Sequence, residues 1–245
     1  MLSNKSNKLA IVTGATGGIG AEIVHLFLEQ GYHVVGIDKN YYDLSNERYT
    51  HYTCDVRDFK ELQRLVEQID FHETNALVNC VGIREICSIS ELTIEKWQEV
   101  MDVNVSAVFV ASKAFAEKIK NKEGISGSIV NIASVSGLMG EPDRTAYVTS
   151  KHAVIGLTKQ LAIEYSKFGI RANAVAPGVI RTPLTEQYYE DPEQLKKIRS
   201  GQFMDYFATP KDITPLIMFL ISEQSQFITG STMTADGGWT AGKLI

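Results

Sequence analysis

The sequence predicts an α/β fold, a doubly wound parallel β-sheet with helices on both faces. Three observations carry that reading. Seven short runs rich in β-branched residues recur along the 245-residue chain. Stretches with helical periodicity alternate with most of them, as parallel strands joined by right-handed crossovers require. Several runs are apolar almost throughout, the mark of strands buried on both faces. No repeat, low-complexity tract or Pro/Gly/Ser-rich linker divides the chain, so a single domain over residues 1–245 is expected.

The elements follow in order. Leu9–Thr13 is the first strand, and it leads through a glycine-rich turn into a helix over Ile19–Gln30. His33–Asp38 is the second strand and Thr50–Cys54 the third. Only about ten residues, around Lys39–Arg48, separate these two, near the minimum for a crossover, so no full helix is expected there. A helix over Phe59–Ile69 precedes a strand over Ala76–Val81. A long helix is expected over Ile94–Lys120, then a strand over Ser128–Ala133. In Ala146–Phe168, Val154, Leu157, Leu161 and Tyr165 keep the 3/4 spacing of a buried helix face. Arg171–Ala176 is the sixth strand, Pro210–Ile221 the last helix and Ser231–Ala235 the last strand. Before that helix lies Leu184–Ala208, rich in aromatic and charged residues, which reads as a substrate lid.

Composition narrows the function. Hydrophobic residues at 44% and charged residues at 22% exclude disorder for the bulk of the chain. A net charge of −5 argues against a phosphate-neutralising nucleic-acid binder and against attraction to anionic membranes. Cys54, Cys80 and Cys87 form no C-x-x-C pair, which points to a reducing compartment. The stretch Met1–Lys8 is polar, and the longest apolar run, Leu216–Ile221, is far too short to span a bilayer. A cytoplasmic protein is expected. The five histidines show no metal-binding spacing, so no metal is expected.

The turn after the first strand reads Thr13-Gly14-Ala15-Thr16-Gly17-Gly18-Ile19-Gly20. Glycines let a backbone approach a pyrophosphate whose charge then faces a helix amino terminus, so Gly14, Thr16, Gly18, Ile19 and Gly20 are candidate cofactor contacts. Asp38, 18 residues beyond Gly20, can accept hydrogen bonds from ribose hydroxyls and would repel a 2′-phosphate. That favours NAD over NADP, although the ammonium of Lys39 stands beside it.

The spacing Gly14, Gly18, Gly20 together with Tyr147-x-x-x-Lys151 resembles the short-chain dehydrogenase/reductase family. Further marks in family order are Cys54-Asp55-Val56, Asn79-Cys80-Val81-Gly82, Val103-Asn104-Val105, Ser134, Pro177-Gly178, Ile228-Thr229-Gly230 and Asp236-Gly237-Gly238. The resemblance implies a Rossmann-type seven-stranded sheet of order 3-2-1-4-5-6-7 and a homo-oligomer, tetramer or dimer. It implies that Asp55 and Val56 contact the adenine and that Asn79 and Gly82 line the cofactor path. Pro177, Gly178, Val179 and Ile180 would approach the nicotinamide, and Thr182 its carboxamide or the phosphates. Cys80-Val81 stands where the family usually has Asn-Ala, and Asp205-Tyr206-Phe207-Ala208 where it often has Arg-x-Gly.

Tyr147 and Lys151 lie four apart, on one face of a helix. A phenol of pKa ~10 is too weak a base at neutral pH unless a nearby cation favours the phenolate. The family resemblance assigns Tyr147 as general acid/base, Ser134 as partner of the reacting oxygen, Lys151 as holder of the nicotinamide ribose, and Asn104 as anchor of a water leading to Lys151. The substrate would be a secondary alcohol or ketone, with Arg84, Met139, Glu141, Arg144 and Tyr188 as pocket candidates, joined by Tyr189 and Phe203. A small polar or cyclic hydroxy compound is favoured, and either arginine could grip a carboxylate. Two alternatives stay open: an NADPH-dependent 3-oxoacyl-carrier reductase, and a non-catalytic NAD-binding regulator.

Overall fold

The computed structural model describes residues 8–120 and 122–242. The polar stretch 1–7, read above for targeting, lies outside them. The strands are β1 (Lys8–Thr13), β2 (His33–Asp38), β3 (Tyr49–Thr53), β4 (Thr74–Asn79), β5 (Ser126–Ile132), β6 (Ile170–Pro177) and β7 (Thr232–Ala235). They form one sheet in the order β3-β2-β1-β4-β5-β6-β7, as the resemblance implied. β1 lies between β2 and β4, with Val12 in register with Gly36 on one side and Val78 on the other. β2 and β3 lie on one side of β1 and β4 to β7 on the other, and this single reversal opens a crevice at the carboxyl ends of the strands.

The helices are α1 (Gly18–Glu29), α2 (Phe59–Gln68), α3 (Ile94–Met101), α4 (Ala107–Ile119), α5 (Thr145–Tyr165), α6 (Glu186–Glu190), α7 (Pro192–Gly201) and α8 (Pro210–Ile221). One face of the sheet packs on α2, α4 and α5, with Leu62, Leu65, Phe115 and Leu161 against Ile11, Leu77 and Ile129. The other packs on α1 and α8, with Ile23, Phe27, Ile213 and Ile217 against Ala10, Val12 and Val78. Each fully buried aliphatic or aromatic side chain here contributes about 1.5–3 kcal/mol. Burial on both faces is why the strands read as continuous apolar runs. Among the described residues no helix is long and apolar enough to cross a membrane.

The structure departs from the sequence reading in three places. The helix expected over Ile94–Lys120 is broken by a π-helical turn, Asp102–Ser106. β4 begins and ends two residues earlier than expected, which leaves Cys80 and Val81 in the loop beyond it. The segment Leu184–Ala208 holds two helices, α6 and α7. Asp191 starts α7 by accepting the backbone N–H of Glu193 at 2.9 Å, with Pro192 in the first turn. As expected, no helix forms over Lys39–Arg48.

Candidate active site

The first β-to-α turn is built so that backbone faces the crevice. Gly14 sits at φ +72°, and a Cβ there would lie 2.7 Å from the backbone nitrogen of Val81. A Cβ on Gly20 would meet the carbonyl oxygen of Gly14 at 2.0 Å. Only glycine fits either position. Gly17 begins α1 with no side-chain cap, and the first turn of the helix carries no acidic residue. Among the described residues no side chain caps these amino-terminal amides, as an anion site requires.

A groove runs from this turn along the sheet edge. Thr16, Gly18, Ile19 and Gly20 line its near wall, and Asp38, Lys39, Asp55 and Val56 its far end. Asp38 is buried, and its two oxygens accept the backbone N–H groups of Thr16 at 3.2 Å and Asn40 at 3.0 Å. Each oxygen keeps a lone pair for a ribose hydroxyl. Asp55 pairs with Arg57 at 2.6 Å, and that guanidinium holds its carboxyl below the usual range. Gly82 and Thr182 also line the groove. Asn79 does not. It is buried and donates to Ser112 Oγ at 3.0 Å and Asn131 Oδ1 at 2.8 Å, so its side chain ties β4 to α4 and β5.

At its inner end the groove meets a second cavity, and here the expected chemical residues converge. Ser134 follows β5, and Tyr147 and Lys151 stand on α5. All three line the cavity with Pro177, Gly178, Val179, Ile180 and Thr182. The Ser134 hydroxyl lies close enough to the Tyr147 phenol to act on its proton affinity. Its Oγ also donates to Ser136 Oγ at 3.2 Å. The Lys151 Nζ lies 5.6 Å from the centroid of the Tyr147 ring and donates to the Ile132 carbonyl at 2.8 Å.

Asn104 sits in the π turn and is fully buried. Its amide clamps the loop after β4, accepting the Ile83 N–H at 2.9 Å and donating to the Ile83 carbonyl at 2.8 Å. The same Nδ2 donates to Ser150 Oγ at 2.9 Å. A Cβ on Gly82 would lie 3.5 Å from both Asn104 Oδ1 and Lys151 Nζ, so the two groups approach the same point.

Burial dominates the electrostatics of the cofactor-free site. It raises the Tyr147 phenol, with Glu141 acting in the same sense, while the Ser134 hydroxyl and the Arg84 and Arg144 cations oppose it. Burial also depresses Lys151, to about 8. In the protein alone both shifts favour the uncharged side chains, and a neutral Tyr147 phenol is a proton donor.

Of the pocket candidates, Arg84, Glu141, Arg144 and Tyr188 line the cavity. Met139 does not, being 39% exposed in a separate depression with Phe203. Tyr189 packs edge-on against Phe207, 5.1 Å between centroids, away from the cavity. Ser136, Trp239 and Glu85 are among the residues the sequence reading missed. Ser136 and Trp239 line the cavity. Glu85 is buried, and its carboxylate accepts the backbone N–H groups of Ala146 at 2.6 Å and Tyr147 at 3.0 Å. No spacing rule could have linked a loop carboxylate to a helix start 61 residues away.

An uncapped helix terminus, a free-edged carboxylate at the strand end and a buried lysine at the inner end fit a dinucleotide laid along the groove. The comparisons agree. A family model described as enoyl-(acyl carrier protein) reductase matches residues 14–240. The 2,5-dichloro-2,5-cyclohexadiene-1,4-diol dehydrogenase of Sphingobium indicum is 33% identical over 254 residues, 98% of this chain and 100% of that protein. A 4-hydroxyisoleucine dehydrogenase complexed with NADH superposes with a TM-score of 0.91 at 42% identity, over 96% of this chain and 100% of the other. ElxO with NADP bound superposes with a TM-score of 0.86 at 31% identity, over 96% and 99%. Solved relatives thus hold either nicotinamide dinucleotide. With sheet order, glycine turn and the Ser134, Tyr147 and Lys151 cluster already in place, the chain belongs to the short-chain dehydrogenase/reductase family of oxidoreductases.

Proposed function

We propose that this chain is an NAD(H)-dependent dehydrogenase that interconverts a secondary alcohol and its ketone, with a small polar or cyclic hydroxy compound as substrate. The observation that carries this reading is the convergence of Ser134, Tyr147 and Lys151 on one cavity at the inner end of the glycine-lined groove. Asp38 supports NAD: its carboxylate at the end of β2 would repel a 2′-phosphate. The alcohol dehydrogenase named among the relatives supports the substrate class. The three unpaired thiols, Cys54, Cys80 and Cys87, support a reducing compartment. Exposed Phe109 and Ile163, on α4 and α5, support self-association through those helices.

Bound in the groove, the nicotinamide supplies the hydride acceptor or donor and, when oxidised, a positive charge. The chain's own residues do the rest. Ser134 donates to the substrate oxygen and stabilises the charge that develops there. Tyr147 gives that oxygen a proton on reduction and takes it back on oxidation. Its neutral state in the protein alone suits the reductive direction, and the oxidative direction needs the added positive charge to favour the phenolate. Lys151 holds the ribose, and Asn104 keeps the loop beside it closed.

Tyr147→Phe tests the proposal. Turnover should be lost while NADH still binds, read by fluorescence titration and by a panel of cyclic and linear hydroxy compounds. Near-normal turnover would remove the assignment, and exclusive use of long acyl thioesters with NADPH would replace the substrate class. Cofactor binding without turnover on any substrate would favour a regulator.

A further inference from the structure

The geometry points to Arg84 and Arg144 as a two-pronged carboxylate site within the catalytic cavity, so that the substrate is a hydroxy acid and the product its oxo acid. This rests on the dehydrogenase reading for the reacting end of the substrate and adds what holds the far end. The carboxylate stays unchanged through the reaction.

Both guanidinium groups line the cavity that contains Ser134 and Tyr147. They share one aromatic platform. The Arg84 guanidinium carbon lies 4.4 Å from the centroid of the Tyr188 ring and that of Arg144 lies 5.9 Å from it. Each fork is already fixed by a neutral partner. Arg84 donates to the Leu184 carbonyl, and Arg144 donates to the Glu85 carbonyl at 2.9 Å and to the Tyr188 hydroxyl. Such bonds orient a guanidinium and leave its charge uncompensated.

Among the described residues neither arginine takes part in an ion pair. The nearby carboxylates are held by neutral donors, and neither reaches an arginine within ion-pair distance. Glu85 turns its oxygens to the amino terminus of α5, and Glu141 Oε2 accepts from Ser136 Oγ at 2.6 Å. The crowding is evident in Arg84, whose affinity for its proton is lowered first by burial and also by Arg144. Two half-buried cations with no ion-pair partner carry a repulsion and desolvation penalty that Glu141, on the same cavity but outside ion-pair distance, offsets only in part, and a bound carboxylate relieves the rest. A neutral alcohol leaves that penalty in place, so the pair selects against it. Bidentate guanidinium–carboxylate geometry also fixes the register of the carbinol carbon relative to Tyr147.

The test is calorimetric titration of the whole protein with three matched probe pairs: propionate and propionamide, 3-hydroxybutyrate and 3-hydroxybutyramide, glutarate and glutaramide. Each is run with and without NADH. Carboxylates should bind at least roughly tenfold more tightly than their amides. Arg84→Met and Arg144→Met should each erase most of that preference. Arg84→Lys and Arg144→Lys should keep part of it, since the charge stays and the fork goes. Circular dichroism checks that each variant is folded, and the lysine variants carry the test if a methionine variant is not. Equal affinity for carboxylates and amides overturns the inference, as does a preference that survives loss of both arginines. Failure of NADH to bind counts against the dehydrogenase reading alone, because the preference is also measured on the protein without it.

Discussion

The Glu85 carboxylate accepts the backbone N–H of Tyr147 at 3.0 Å, so a loop from the end of β4 holds the start of the helix that carries the Tyr147 phenol. Arg144, the residue preceding α5, makes no side-chain cap of its own. Glu85 replaces it from a distance, receiving the Ala146 N–H as well. Glu85→Ala would leave two amides at a buried helix start without an acceptor, at about 1–3 kcal/mol each. Urea unfolding should register that loss, and kcat should fall with it as Tyr147 loses its fixed height in the cavity. Glu85→Gln keeps a carbonyl oxygen for the same amides and should restore most of the stability. Equal stability of the alanine variant and the parent would show that α5 needs no cap from this loop.

The Ser134 hydroxyl lowers the Tyr147 phenol against the upward push of burial. Ser134→Ala should reduce kcat by roughly 10²–10³, the usual effect of removing one donor from a developing oxyanion. The sign of its pH effect follows. Alcohol oxidation needs the phenolate, so its rate rises with pH as Tyr147 ionises. Without the serine the phenol ionises at higher pH, and the midpoint of the oxidation profile should move up. A profile shifted down, or unmoved with full activity, would separate Ser134 from the proton transfer.

How much of this was legible in the sequence depends on whether the cause was local. The strands were readable because burial on both faces leaves an unbroken apolar run, and Leu9–Thr13 lies within β1 as found. The glycine turn and the Tyr147/Lys151 pair were readable because their spacing is set by helix and turn geometry. The π turn at Asp102–Ser106 was not. The apolar pattern continues through Val103, Val105 and Ala107, and what accompanies the break is the Asn104 clamp on Ile83, a contact 21 residues back. Asn79 was misplaced for a similar reason. Its position in the family motif suggested the cofactor path, while its side chain completes a buried network with Ser112 and Asn131. The start of α7 could have been found, since Asp191-Pro192 is a cap followed by a first-turn proline.

On the proposed NAD reading, one charge on Asp38 sets the cofactor preference. Asp38→Asn removes that charge and keeps one acceptor oxygen for the neighbouring amides of Thr16 and Asn40. Lys39, which lines the same end of the groove, is then free to attract a phosphate. The ratio of kcat/KM with NADP to that with NAD should rise by at least about tenfold, the equivalent of ~1.4 kcal/mol. Initial rates with both cofactors on one substrate provide the measurement. An unchanged ratio would move the discrimination to other residues at that end of the groove.

Lys151 makes the stability of the cofactor-free protein depend on pH in a way that identifies its burial. It is 4% exposed, and in the folded protein it loses its proton at about 8. An unfolded chain holds that proton to about 10.4. Between these values the unfolded state binds more protons, so stability rises with pH across the window. Below about 8 the folded state carries the full penalty of a buried ammonium, and above about 10.4 the contribution levels off. The difference between the two limits is about 3 kcal/mol at most. Lys151→Met removes the titrating group, so urea unfolding from pH 7 to 10 should show the parent gaining on the variant as pH rises. Parallel curves would mean that Lys151 titrates in the folded protein as it does in the unfolded chain, and that its amine is not desolvated beside Tyr147.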